Sequence, residues 1–103
     1  MINVIASIRV KEGKRAELLE IFNTNVPAVR AEEGCIDYYP TVDVQADFDY
    51  PPQDKDPDVV TVIEKWESLA ALGAHTRAPH MLSYREKVKD LVNGLSIKVL
   101  EQG

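Results

Sequence analysis

Glu64, Trp66, His75 and His80 bring a carboxylate, the only tryptophan and both histidines of the chain into one short stretch. An imidazole is the side chain best suited to moving a proton near neutral pH, and proton handling is the chemistry expected of the two histidines. Alternation along Val60, Val62, Glu64 and Trp66 puts the carboxylate on the same face as the tryptophan. If that face is the buried one, Glu64 either carries a carboxyl lifted toward the proton-transfer range or sits near a mouth, bonded to a helix N–H or a histidine. The histidines are five apart with Pro79 between them, so they do not form the i, i+4 pair of a helical metal site. Asp37, Asp43 and Glu64 add no recognised ligand spacing, and no metal centre is expected. The chain also lacks a Gly-x-Gly-x-x-Gly turn, a phosphate loop and a Gly-x-Ser-x-Gly elbow, which leaves nucleotide, Rossmann-bound flavin and serine hydrolysis without support. Cys35, at the start of an apolar strand with no histidine nearby in sequence, is expected to be structural.

These residues need a frame, and the hydrophobic periodicity supplies one. Residues 2 to 10 alternate, with Ile2, Val4, Ala6, Ile8 and Val10 on one face. From Lys14, Leu18, Leu19, Phe22, Val26 and Val29 form a helical stripe that is expected to kink around Asn23 to Pro27 and to end at Gly34. Alternation returns from Cys35 to Gln45, with Pro40 marking an edge or a bulge. Ala46 to Pro57 reads as a loop, and Phe48 and Tyr50 within it favour a flap. A third strand, Val59 to Trp66, leads to a short helix over 69–74 capped by Ser68. Pro79 opens a second piece whose stripe is Met81, Tyr84, Val88 and Leu91. Asn93-Gly94 is expected to close that helix, and residues 95 to 101 form a fourth strand.

The order is β-α-β-β-α-β with the second helix broken, an α+β ferredoxin-like fold: a four-stranded antiparallel sheet with the helices on one face. The other face carries Asn3, Ile5, Ser7 and Arg9 on the first strand and Val59, Thr61, Ile63 and Lys65 on the third. That mixture suits packing against a second copy, so a homodimer formed sheet to sheet is expected. A length of 103 residues fits a single domain spanning 1–103. A net charge of −5 opposes a nucleic-acid partner, no apolar run approaches the roughly 18 residues of a membrane span, and the alternating start without a basic leader points to the cytoplasm.

Ile63-Glu-Lys-Trp-Glu-Ser68, followed by Leu72, His75 and Ala78-Pro-His-Met81, resembles the signature of the antibiotic biosynthesis monooxygenase superfamily. Val4-Ile-Ala-Ser-Ile-Arg9 with Gly13, and Glu32-Glu-Gly-Cys35, fit the same pattern over nearly the whole chain. Val26-Pro27, the proline in strand two and the long loop before strand three resemble the bacterial quinol monooxygenase branch. The resemblance implies a dimeric α/β barrel and a cofactor-independent monooxygenase in which a deprotonated quinol or related polyphenol reacts directly with O₂. It implies a pocket between sheet and helices, with His75, His80 and Glu64 as catalytic candidates and Trp66, Tyr84, Tyr38 and Met81 against the substrate. Haem-degrading relatives have asparagine where this chain has Ile8, and a histidine near Tyr84 or Arg85, so haem is not expected. The same scaffold would also suit a non-catalytic binder of small aromatic ligands or a stress-related protein.

Overall fold

The computed structural model describes all residues from Met1 to Gly103. Strand β1 (Ile2–Val10) is the axis of the sheet, because its strict alternation buries one complete side: Val4, Ala6, Ile8 and Val10 are all at most 6% exposed. Helix α1 (Arg15–Arg30) follows, then β2 (Cys35–Thr41), β3 (Val59–Trp66), α2 (Leu69–Arg77), α3 (Pro79–Val88) and β4 (Val92–Leu100). The sheet is antiparallel in the order β2-β3-β1-β4, so β1 lies between β3 and β4 with Ala6 facing Val62 on one side and Ile97 on the other. The helices lie on one face and supply Leu18, Phe22, Val29, Met81, Tyr84 and Val88 to a core floored by β1 and β3. This is the ferredoxin-like arrangement.

The helix starts and stops follow local chemistry. Ser68 Oγ accepts from the Ala71 N–H at 3.1 Å and caps α2, while Pro79 takes the first turn of α3, where a missing N–H costs nothing. Four boundaries differ from the expected ones. Helix α2 runs on to Arg77 rather than stopping at residue 74, because the chain leaves helical geometry only at Ala78, before Pro79. Helix α1 runs on through Pro27 and stops at Arg30, with Ala31 as its cap rather than Gly34. Gly34 instead takes φ +83° in the turn to β2, and a Cβ there would lie 2.5 Å from that of Ala71. Strand β2 ends at Thr41, not Gln45: it is an edge strand with β3 as its one neighbour, and its pairing stops at Thr41 opposite Thr61 although β3 runs on to Val59, Asp43 instead accepting from the Asp56 N–H. Helix α3 ends at Val88, so Asn93-Gly94 lies inside β4, where the register against β1 slips between Arg9 and Val10. The dipeptide therefore marks a bulge, the other structure in which glycine interrupts an alternating pattern.

The loop after β2 is held at its root. Asp43 accepts from the Asp56 N–H at 2.8 Å, and Arg9 pairs with the Asp56 carboxylate at 2.8 Å, which keeps that carboxyl below its ordinary range. Phe48 and Tyr50 at its tip are 70% and 91% exposed, so neither aromatic folds over the core as a flap. No helix is long and apolar enough to cross a membrane.

Candidate active site

Between the sheet and the helices lies a cavity of about 430 Å³, within the usual size of a small-molecule site. Its floor is Val4, Ala6 and Ile8 of β1, extended by Leu95, Ile97 and Val99 of β4. Phe22, Leu72, Met81, Tyr84 and Val88 form its roof, Tyr38 and Glu64 come from β2 and β3, and His75 from α2. Of 18 lining residues 13 are hydrophobic, so a flat apolar ring would gain by entering, and the few polar groups would fix its orientation.

Glu64 and His75 meet at one end, while Thr76 of α2 and Arg85 and Lys89 along and after α3 supply the remaining polar lining. Trp66 is fully buried beneath the helices, and its indole N–H donates to Glu64 Oε1 at 3.0 Å. Glu64 is itself only 7% exposed, and burial is the main cause that lifts its carboxyl above the ordinary value. The indole bond and the nearby His75 act in the opposite direction, while the Glu32 carboxylate adds to the rise. The His75 ring lies 4.7 Å from that of Trp66 and meets Tyr38 edge-on at 5.5 Å. Phe22 stacks on Tyr38 at 5.4 Å and meets Tyr84 edge-on at 5.8 Å, joining the roof to the polar end through aromatic contacts. Burial pushes both tyrosine hydroxyls up, Tyr84 to about 12, so neither acts as an anionic base at neutral pH.

His75 is oriented by a residue absent from the sequence-based candidates. Glu32, in the turn between α1 and β2, places Oε2 2.8 Å from His75 Nδ1. The same oxygen lies 3.1 Å from His80 Nε2, though out of line for a hydrogen bond, and both ring nitrogens of His80 are buried without one. His75 lines the cavity, and its Nε2 makes no hydrogen bond within the chain.

The expected site residues thus divide. Glu64, His75, Tyr38, Tyr84 and Met81 meet around the cavity. Trp66 lies behind its wall, touching it through Glu64 and His75. His80 lies behind His75 and faces a separate polar groove between α1 and α3, lined also by Glu17, Glu20 and Lys87. The pattern that could have pointed to Glu32 is Glu32-Glu33-Gly34: the left-handed glycine turns the chain back under α2 and carries the first of the two glutamates inward. Cys35 stays free and partly buried, and burial raises its thiol, which opposes a thiolate nucleophile. No group of three or more His, Cys, Asp or Glu side chains is placed to hold a metal ion.

Residues 1–87 match the family described as antibiotic biosynthesis monooxygenase. The chain is 43% identical over its whole length to the probable quinol monooxygenase YgiN of Escherichia coli K12, covering 99% of that protein. Among solved structures, SO0527 from Shewanella oneidensis aligns with 29% identity and a TM-score of 0.79 over 98% of this chain and 89% of that one. PA3566 from Pseudomonas aeruginosa aligns with 26% identity and a TM-score of 0.79 over 98% and 92%. With sequence and fold in agreement along nearly all of its length, the chain belongs to the antibiotic biosynthesis monooxygenase family.

Proposed function

We propose that the protein is a cofactor-independent monooxygenase that oxidises a quinol or related polyphenolic ring with O₂. The observation that carries the reading is the apolar cavity lined at one end by His75 and Glu64, in a chain 43% identical to a protein named a probable quinol monooxygenase. A quinol bound with one hydroxyl at His75 loses that proton to Nε2, and the resulting quinolate is electron-rich enough to reduce O₂ directly. A C–O bond forms at a ring carbon and gives a peroxide. Return of the proton from His75 to the peroxide, loss of the ring C–H proton and cleavage of the O–O bond release water and leave a hydroxyquinone. O₂ takes four electrons from the ring; one of its atoms stays on carbon and the other leaves as water. Glu64, whose carboxyl burial lifts above its ordinary value, lines the same cavity and can hydrogen-bond the second quinol oxygen. The electrons come from the substrate, so this chemistry calls for no bound redox group.

Oxygen uptake with a panel of reduced naphthoquinones and benzoquinones tests the reading. The wild type is expected to exceed the spontaneous rate, and His75→Ala combined with His80→Ala to lose about 10²- to 10⁴-fold. Uptake no faster than the spontaneous rate, or unchanged in the double variant, would overturn it.

Assembly is part of the same proposal: two copies pair through the outer sheet face, where Ile5 and Ile63 lie opposite one another, 41% and 36% exposed in the single chain. A sedimentation mass near 11.5 kDa at micromolar concentration would rule the dimer out.

A further inference from the structure

Glu32 lines neither the cavity nor the groove behind it, yet its side chain is only 15% exposed and one of its oxygens faces two imidazoles from two different helices. The turn does not need that side chain to hold its shape, since its backbone bonds, Glu32 N–H to Val29 O and Cys35 N–H to Glu32 O, close it alone. A largely buried carboxylate, 15% exposed, and a histidine with two unpaired ring nitrogens are costly next to the apolar residues that could fill the same space. Such an arrangement is retained when it does something to a neighbour.

What it does to His75 follows from donor and acceptor chemistry. A carboxylate only accepts, so the 2.8 Å bond fixes the ring proton on Nδ1 and leaves Nε2 as the acceptor. With Nδ1 engaged and no bond within the chain at Nε2, Nε2 is the nitrogen of this cavity-lining ring left to meet a substrate. We propose that Glu32 is the positioning residue of the catalytic base: it sets the His75 tautomer and balances the imidazolium formed when Nε2 takes the substrate proton. The step breaks the substrate O–H bond and forms N–H at Nε2; no electrons leave the ring at this stage, and the proton goes back to the peroxide later. His80 Nε2 lies 3.1 Å from the same oxygen without bonding it. This assignment rests on the quinol monooxygenase reading for its substrate, but the hold of Glu32 on His75 can be measured without turnover.

The test pairs ¹⁵N NMR of the His75 ring with steady-state oxygen uptake in Glu32→Leu and Glu32→Gln. The wild-type ring is expected as the Nδ1–H tautomer. Glu32→Leu, which removes the acceptor, is expected to shift the ring to Nε2–H and to lower kcat about 100-fold with KM changed by no more than about twofold, because Glu32 does not touch the cavity. Glu32→Gln keeps the size and an acceptor but not the charge, so it should retain the Nδ1–H tautomer and recover part of kcat. It also serves as the control for folding. An Nε2–H ring in the wild type, or Glu32→Gln losing no kcat and Glu32→Leu keeping Nδ1–H, would overturn the assignment. An Nδ1–H ring that depends on Glu32 in a protein without quinol oxidation would strike the substrate reading alone.

Discussion

Strands β1 and β4 are neighbours in register and present the same kind of side chain to the same face, yet only one of them is buried. Val4, Ala6 and Ile8 are 2%, 6% and 6% exposed, and their partners Val99, Ile97 and Leu95 are 49%, 56% and 60% exposed. The helices account for the difference: α1 packs over β2 and β3 and α3 against α1, so the helical layer stops short of the β4 edge. The cavity is the gap left where that layer ends. Its inner end, under α2, is closed and polar, with Trp66, Glu64, His75 and Glu32 locked to one another; its outer end is an open apolar wall. The inner end is built to hold groups still, the outer end to admit a ring.

Breaking the inner end should therefore cost stability, and breaking the outer end should cost binding. The largest effect is expected for Trp66→Ala, which empties a fully buried site and removes the donor to Glu64. It should destabilise the fold by about 3–5 kcal/mol in urea melts, a large share of the roughly 5–15 kcal/mol available to a small domain. Ile97→Ala at the outer end should change stability by no more than about 0.5–1 kcal/mol, because the side chain is already more than half exposed. There the loss should appear as a KM for quinol raised about 3- to 10-fold with kcat nearly unchanged, the signature of binding lost equally in ground and transition states. Equal losses of stability in the two variants would mean that β4 is covered in solution and that the contrast belongs to the isolated chain.

Most of the frame was legible because its period is strict. The alternation of β1 and β3 alone decides which residues face inward, and so places Glu64 on the buried side with Trp66. Pro79 and Ser68 announce the two short helices for reasons local to each helix start. The boundaries that shifted are those where a local signal has two outcomes. Asn93-Gly94 can end a helix or bulge a strand, and only the pairing with Arg9 and Val10 decides. The alternation of Val42 and Val44 continues past Thr41, the last residue that pairs with β3, because the chain there turns to the Asp43–Asp56 contact of the loop root. Glu32 had only the Glu32-Glu33-Gly34 turn as a local signal and the separation of His80 from the cavity had none, because both depend on how that turn meets α2 and α3, a contact distant in sequence. Periodicity reports which face a residue takes, not which partner it meets across that face.

The smallest effect sharpens the comparison most, because it asks whether the inner end is closed enough to act on a charge. Burial raises the Glu64 carboxyl above its ordinary value of 4.5, so the folded protein binds that proton more tightly than the unfolded chain does. The corresponding stability is fully present below about 4.5 and is lost as pH rises through the raised value. Glu64→Gln has nothing to lose over that window, and its amide oxygen can still accept from the Trp66 indole. The melting temperature of the variant relative to wild type should therefore climb as the pH is taken from about 4 to about 8, by a few degrees in a domain of this size. A difference that stays flat with pH would mean that water reaches Glu64 freely, and that the inner end is as open to solvent as the wall formed by β4.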